Sequence, residues 1–466
     1  MMISFLIGGI LVAVGLALQL TMGPIDWSLL AAPVNWIMLV LLLGFLLLMF
    51  FLRKKVHAFE WMMHSQAAVA AIAWALGITL VMGLVPQSRG GGVSWLSQML
   101  TFWPFVLIWT WMMVISGLAT LNHLMRFRLS EIPFLLNHLG VFVAIVAATL
   151  GSADMQQLQM TVAYGTPERR AFSDDYGVVE PGFTIELHQF TVDYYENGMP
   201  KRFASDISVI TDDGKDLRGT VEVNKPLKVN GWKVYQYGYD VNMGSNSPYS
   251  IFLLVKDPWL PAVYAGIFLM LAGALSLLFT RHFRRWGKRS FVLPVGLILA
   301  TVAFVYFFTP VFRNKALMPA LQSPWFVPHV VVYMFSYAIL AAATLMAVYL
   351  LFFRRHALAS HENGMRITDN LVYAGLAFLT VGMLFGALWA KEAWGHYWAW
   401  DPKEIWAAIT WLCYLLYLHF RTVRPKAWRK ACWILLLAFI CLQICWWGIN
   451  YLPSAQGLSI HTYNVN

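Results

Sequence analysis

The sequence predicts an all-α polytopic membrane protein of about eleven transmembrane helices with a small extracytoplasmic β domain. Of its 466 residues, 59% are hydrophobic and 12% are charged, whereas a soluble domain carries roughly 25% charged residues. The mean hydropathy is +0.61. Basic residues stand in short clusters between long apolar runs, which is typical of the loops of proteins that cross a bilayer repeatedly.

Apolar runs long enough to cross a bilayer mark the individual helices. The first run has no basic segment before it and no small-residue cleavage site after it, so we interpret it as a retained span and not a signal peptide. The predicted spans are 2–20, 34–52, 66–85, 103–122, 134–152, 259–280, 291–309, 327–353, 371–390, 404–420 and 431–449.

The basic clusters fall in every second loop and predict the orientation of the chain. Loops rich in Lys and Arg face the cytoplasm, which places the N-terminus inside and both the C-terminus and residues 153–257 outside. The net charge of +10 resides largely in these loops, so nucleic acid is not a predicted partner. The basic loops contain Arg53–Lys55, Arg126 and Arg128, Arg281–Arg289, Arg354–Arg366 and Arg421–Lys430.

Residues 153–257 form a polar segment with strand signals. Apolar and polar side chains alternate in 183–187, as in a half-buried strand. Asn197-Gly198 is a hairpin signal, and Asp212-Asp213-Gly214 marks a second turn. No catalytic constellation stands out here, and the segment is interpreted as a packing or docking module.

The four cysteines all lie inside apolar runs and form no Cys-x-x-Cys pair. This distribution indicates small core residues and neither a disulfide framework nor a zinc site. They are Cys413, Cys432, Cys441 and Cys445.

An unusual loop separates two of the last spans: residues 394–404 read WGHYWAWDPKE. Asp401 stands before a proline and three residues before Glu404, a pattern that predicts an N-cap and capping box at the next helix. Asp257-Pro258 and Ser323-Pro324 predict similar helix starts, with proline as the first helical residue.

Eleven of the twelve histidines divide by predicted depth. His138 and His419 lie near the cytoplasmic ends of their spans, whereas His329 and His461 lie outside, with His396 as a competing outer candidate. Paired imidazoles suit the axial positions of haem iron, and aromatic rings suit a porphyrin face. An interfacial role or a water-lined proton or ion path would use similar residues. The remaining interfacial histidines are His57, His64, His123, His282, His356 and His361.

The stretch WGHYWAWDPKE closely resembles the tryptophan-rich WWD signature of the haem-handling cytochrome c biogenesis family. His329, Trp411 before His419, and His461 after residues 448–451 resemble the CcsA type. Residues 137–140, with 224–236, resemble the ResB/CcsB type. The chain is thus similar to a compact system II fusion of the two.

This resemblance divides the chain into four regions. They are an N-terminal membrane region (1–152, its latter part ResB-like), the β domain (153–257), connecting membrane helices (258–309) and a CcsA-like haem-handling domain (310–466) with the tryptophan-rich loop at 391–404.

The resemblance implies two haem sites. His138 and His419 would be axial ligands of haem iron at an inner site, and His329 and His461 would be axial ligands at an outer site. The loop would hold the outer porphyrin through Trp394, Trp398, Trp400 and Asp401.

The implied activity is that of a cytochrome c synthase of the bacterial inner membrane. It would carry haem b outward and join it by thioether bonds to Cys-x-x-Cys-His of apocytochrome c. The implied partners are apocytochrome c, an extracytoplasmic thiol reductant and membrane lipid, and no catalytic residue is assigned. Two alternatives stay open: a haem-delivery protein that does not ligate haem, and an assembly scaffold or transporter that never touches it.

Overall fold

The computed structural model describes residues 2–87, 94–174, 176–279, 292–313, 315–353 and 358–455. These residues form a helical bundle with a β domain at one end, which confirms the predicted fold class. The helices are α1 Met2–Met22, α2 Val34–Leu52, α3 His57–Met62, α4 Ser65–Leu84, α5 Trp103–Leu124, α6 Ile132–Gly151, α7 Leu260–Leu277, α8 Val292–Arg313, α9 Phe326–Val348, α10 Leu358–Trp394, α11 Pro402–Val423 and α12 Trp428–Trp446.

Each of the eleven predicted spans coincides with one of these helices. Among the described residues, nine helices are long and apolar enough to cross a membrane. The other two are α8, which has a shorter apolar stretch at Val295–Val311, and α11, which carries Lys403, Glu404 and Arg421 near its ends. We call the end of the bundle with the β domain the β-domain side, and the end with the Lys- and Arg-rich loops the basic side.

Helix α10 is longer than the predicted span 371–390, because it begins at Leu358 and ends at Trp394. A hydropathy pattern detects only the apolar part of a helix, and residues 358–370 include several polar side chains. A helix can continue past the bilayer because its backbone groups bond within the segment. Its added last turn brings Lys391 against the β domain.

The N- and C-terminal parts of the bundle share their cores. Helix α11 packs against both α4 and α12, and α10 packs against α7 as well as α9. The largest hydrophobic cluster accordingly joins Met82 and Phe105 from the first half to Trp406 and Tyr414 from the second. The four cysteines are buried among these helices, as predicted.

The β domain consists of two antiparallel sheets that share one core. The strand orders are β3-β2-β1-β9-β8-β7 and β4-β5-β6, and Phe183, Ile185 and Leu187 are fully buried between the sheets. The predicted turns at Asn197-Gly198 and Asp212–Gly214 connect β4–β5 and β5–β6. The strands are β1 Gln156–Ala163, β2 Ala171–Phe172, β3 Val178–Val179, β4 Phe183–Tyr194, β5 Pro200–Thr211, β6 Asp216–Glu222, β7 Leu227–Val229, β8 Trp232–Tyr239 and β9 Tyr249–Lys256.

One of the three predicted helix starts is confirmed and two are wrong. Asp401 caps α11 and forms a complete capping box with Glu404. Helices α7 and α9 instead begin at Leu260 and Phe326, two residues after the predicted proline. Asp257 Oδ1 accepts the N–H of Trp259 and Ser323 Oγ accepts the N–H of Trp325, each two residues on. The other contacts of both side chains lie across the fold, with Lys391 and Glu392.

Asp154 joins three separate parts of the chain at the β-domain side. Its carboxylate accepts hydrogen bonds from Ala32 N at 2.8 Å, Asn35 Nδ2 at 2.7 Å and Trp259 Nε1 at 2.8 Å. Partial burial acts to raise the pKa of Asp154, but these three bonds outweigh it and lower that pKa below its ordinary value.

We expect Asp154→Ala to lower the unfolding free energy of the detergent-solubilised protein by about 2 kcal/mol, since three donors lose a charged acceptor. A carboxyl with a lowered pKa stabilises the fold above its unfolded-state pKa, and this contribution is lost as the pH falls through the folded-state pKa. The difference from wild type should therefore shrink below about pH 4. Scanning calorimetry across pH tests this, with exposed Glu196→Ala as the control; a difference that grows in acid contradicts it.

Candidate functional site

The structure brings the two inner histidines, His138 of α6 and His419 of α11, together on the basic side. Their ring centroids are 6.2 Å apart, with 66° between the ring planes. This separation leaves room for one metal atom between the rings, with bonds of roughly 2 Å to a nitrogen on each side.

Both inner rings have a defined tautomer and orientation. The Nδ1–H of His138 donates to Phe134 O at 3.0 Å, and that of His419 donates to Leu415 O at 2.8 Å. A carbonyl oxygen can only accept, so Nδ1 carries the proton and Nε2 keeps its lone pair. Backbone partners of this kind orient imidazoles that ligate a metal.

A column of stacked rings extends from this pair toward the end of the bundle. Phe134 stacks on His138 with centroids 3.7 Å apart, and His123 stacks on Phe134 at 3.8 Å. His123 also lies 2.8 Å from the carboxylate of Glu131 through Nδ1. Sequence reasoning grouped His123 with the interfacial histidines, because helix depth does not reveal stacking across a turn.

On the β-domain side, α9, α10, α11, α12 and the tryptophan-rich loop enclose a cavity of about 720 Å³. This volume is within the roughly 300–1,000 Å³ usual for small-molecule sites. Most of the wall is apolar or aromatic. The lining residues that bear on ligand binding are His329, Tyr333, Tyr337, Trp389, Trp398 and Lys403.

The imidazole of His329 in α9 packs closely against α10 at two glycines, Gly382 and Gly386. Its Nδ1–H donates to Gly382 O at 2.8 Å. A Cβ at Gly386 would lie 2.7 Å from Cε1 and 2.9 Å from Nδ1 of this ring, so glycine is required for this close approach. Tyr333 and Trp389 contact the ring with centroids at 4.8 and 5.7 Å.

The three tryptophans predicted to bind porphyrin have different surroundings. Trp398 lines the cavity, and its buried indole Nε1 donates to no described group. Trp394 packs on Trp389 with centroids 5.0 Å apart. Trp400 packs on Phe105 and Trp109 of α5, each at 5.7 Å, with a backbone φ of +56°. Neither Trp394 nor Trp400 is among the described lining residues.

The carboxylate of Asp401 is used in the cap of α11. It accepts the N–H of Glu404 at 2.8 Å, and the Glu404 carboxylate accepts from Ala399 N at 2.7 Å and Asp401 N at 3.2 Å. Both side chains are buried. This arrangement supports a role for Asp401 in shaping the loop, and its predicted contact with porphyrin stays a prediction.

Two other histidines were candidates for the outer site. His461 lies outside the described residues, so its pairing with His329 stays a prediction. His396 is described, with its ring 6.4 Å from that of Trp394, and it is not among the described residues that line the cavity.

Sequence reasoning missed three residues at this site. Trp389 lines the cavity, and Cys445, interpreted as plain core, does so too. Lys391 is 1% exposed and contacts Asp257. Their position could have identified Trp389 and Lys391, because both lie on the helix that leads into the motif and within five residues of its first residue, Trp394.

Two family profiles match consecutive parts of the chain. The family described as Cytochrome C assembly protein matches residues 259–455, and the ResB-like family matches residues 125–250. The cytochrome c biogenesis protein CcsA of Cyanophora paradoxa is 31% identical over 273 residues, which cover 46% of this chain and 84% of that protein. The chain belongs to the cytochrome c assembly family.

Other relatives agree with this membership. The CcsA protein of a Synechococcus strain is 35% identical over 222 residues, covering 40% of this chain and 70% of that protein. That of Chlamydomonas reinhardtii is 37% identical over 183 residues, covering 37% of this chain. The chain spans about half the length of the Chlamydomonas protein.

Apart from His461, the candidate site residues fall within the two matched ranges. His138 lies in the ResB-like range, and His329, the tryptophan-rich loop and His419 lie in the assembly range. The predicted resemblance to a fusion of the two is confirmed. The protein is a multi-pass membrane member of a family whose relatives are named for cytochrome c biogenesis.

We expect Gly386→Ala to displace His329 and to destabilise the fold by about 1–3 kcal/mol, since the new methyl group overlaps the imidazole. Gly77→Ala in α4 is the matched control, because a Cβ there meets nothing within 4 Å. Thermal unfolding in detergent and modification of His329 by diethyl pyrocarbonate, read by mass spectrometry, provide the two measurements. Equal behaviour of the two variants would contradict this packing.

Proposed function

We propose that this protein binds haem at two sites, moves it from the basic side to the β-domain side and joins it to apocytochrome c. The observation that carries the proposal is that one helix contributes to both sites. Lys403 near the start of α11 lines the cavity, and His419 near its end faces His138. These positions are 16 residues apart, or about 24 Å along a helix, which is close to the roughly 30 Å hydrocarbon thickness of a bilayer.

The inner pair supports a bis-histidine haem site. Haem iron accepts two axial imidazoles, and the spacing and tautomers of His138 and His419 fit that arrangement. Both rings are half-buried within the bundle, and ionisable groups there are functional candidates by default.

The outer cavity supports a porphyrin site with two axial histidines. His329 would supply one axial nitrogen, and His461 the other. Trp398, Trp389 and the tyrosines present aromatic faces for the macrocycle. The ammonium of Lys403, in the first turn of α11, is a suitable partner for a porphyrin carboxylate.

The proposed chemistry is addition of two apocytochrome thiols to the two haem vinyl groups. Each addition forms one C–S bond and transfers the thiol proton to the neighbouring vinyl carbon, so it needs no net oxidant. The iron and thiols must be reduced beforehand, and an extracytoplasmic thiol reductant would keep the cysteines available. The protein would contribute orientation and proximity, which lower such barriers by several kcal/mol.

The membrane placement follows from the same proposal. The basic side would face the cytoplasm of a bacterium and the β-domain side the exterior of its inner membrane, as the charge pattern predicts. Haem b would be both bound ligand and substrate. Apocytochrome c would reach the cavity from the β-domain side, and membrane lipid would surround the bundle.

We expect the purified protein from haem-replete cells to contain haem, and His138→Ala and His419→Ala to lower inner-site occupancy by more than roughly tenfold. His329→Ala should change the outer-site spectrum and leave the inner site intact. Oxidised and reduced absorption spectra with pyridine haemochrome quantification measure both. His57→Ala, whose side chain is 98% exposed, is the control. A colourless wild type would favour the scaffold alternative.

We expect co-expression with a reporter that contains Cys-x-x-Cys-His to produce covalent haem, because the bound substrate lies at the side where the thiols arrive. Haem staining after denaturing electrophoresis and mass spectrometry of the reporter measure the thioether bonds. A reporter with both cysteines changed to alanine is the control. Wild-type protein that binds haem but produces no covalent product would favour the haem-delivery alternative.

A further inference from the structure

The β domain packs directly against the tryptophan-rich loop. Gly395, the first residue after α10, has φ +81°, and a Cβ there would lie 3.0 Å from Val255, 3.2 Å from Tyr235 and 3.4 Å from Leu253. The loop therefore turns away from α10 directly on the surface of strands β8 and β9. Only glycine combines this backbone conformation with so close an approach.

A buried ion pair holds the same turn. The Nζ of Lys391 donates to Gly395 O at 2.9 Å and lies 3.5 Å from Asp257 Oδ2. The two side chains are 1% and 5% exposed. The ammonium also lies 5.9 Å from the ring centre of Tyr397, the neighbour of Trp398.

Asp257 is the carboxylate that pairs with the Lys391 ammonium, because the neighbouring polar side chains bond to other groups. The adjacent Glu392 accepts from Ser323 Oγ and Trp325 Nε1, each at 3.0 Å. On the β domain, the hydroxyl of Tyr235 donates to Lys391 O at 3.0 Å. Burial raises the pKa of Tyr235 well above its ordinary value, so the hydroxyl stays a donor.

We propose that Lys391, paired with Asp257 and supported by Tyr235, is a positioning residue through which the β domain holds the tryptophan-rich loop in its binding geometry. This role rests on the proposed haem site in the outer cavity. The ammonium bonds a loop carbonyl, and the loop then presents Tyr397 and Trp398 to the cavity. Asp257 lies between the two family-matched ranges, so the pair connects the junction of those ranges with Lys391 of the assembly range.

A stability role alone does not account for an ion pair at this place. Replacing a buried ion pair by apolar residues of similar volume is often neutral or stabilising, whereas removal of one partner is strongly destabilising. An apolar pair cannot, however, donate to Gly395 O. A variant with an apolar pair should therefore differ from the wild type in the order of the loop and not in the stability of the whole fold.

Hydrogen exchange of the full-length, haem-free protein tests the proposal. Lys391→Met and Asp257→Asn should raise exchange of the amides in 395–400 on the order of 100-fold, with β1 as the internal reference. The double variant Lys391→Met/Asp257→Leu should regain the thermal stability of the wild type, while its loop exchange stays fast. Lys391→Arg keeps a charged donor, so its loop should exchange as slowly as that of the wild type. Arg169→Gln, in an exposed pair of the same domain, is the control.

Unchanged loop exchange in Lys391→Met, or slow exchange in the double variant, would overturn the positioning role. If Lys391→Met does not fold, Tyr235→Phe removes one donor and should still speed loop exchange; no change there also overturns it. In haem-loaded protein, Lys391→Met should lose the outer-site signal that depends on His329 and keep the signal that depends on His138. A wild-type protein without haem would contradict the proposed function. The exchange experiment would still test whether Lys391 positions the loop, because it uses haem-free protein.

Discussion

A buried ammonium has to be paired, and this requirement at Lys391 constrains the parts of the structure around it. Its partner Asp257 stands at the junction of β9 and α7, and its second acceptor is the carbonyl of Gly395. One side chain thus fixes the end of α10, the junction that leads into α7 and the first turn of the tryptophan-rich loop. The β domain supplies both the carboxylate and the surface on which the loop turns.

The far end of the loop is fixed by a different interaction. Asp401 and Glu404 form the capping box of α11, so the loop has no freedom where it enters the helix. Between these ends, Trp400 packs into α5 with a positive φ, a conformation that costs a non-glycine residue roughly 1–2 kcal/mol. Packing against Phe105 and Trp109 offsets that cost. The described lining of the outer cavity comes from residues 321–446, while the first half of the chain supports the loop at Trp400.

Helix α11 connects the outer cavity with the inner histidines. It carries the cap and Lys403 at one end and His419 at the other, and it packs on α4 as well as α12. Because α4 belongs to the N-terminal region, a displacement of one half would move both sites. Phe142 and Val146 of the ResB-like range also share a hydrophobic cluster with Leu384 and Leu388 of the assembly range, so the two family-matched regions form one bundle.

Local periodicity and residue type were enough to predict several features of the fold. Apolar runs located all eleven spans, Asn197-Gly198 located the β4–β5 hairpin, and Asp401 with Glu404 located the cap, because each signal lies within a few residues. Depth within a span was enough to predict that His138 and His419 lie at the same level. Strand β1 was missed, although Leu158, Met160 and Val162 alternate with polar residues there, and so were the true starts of α7 and α9.

Which side chains meet depends on how distant segments of the chain pack. Trp394, Trp398 and Trp400 are equivalent in the sequence, yet Trp398 lines the cavity while Trp400 packs on α5. Lys391 is an ordinary loop-flanking lysine until α10 continues far enough to bury it against Asp257, 134 residues away. Such roles depend on burial and long-range pairing, which arise when distant segments pack together and leave no periodic signal in either segment.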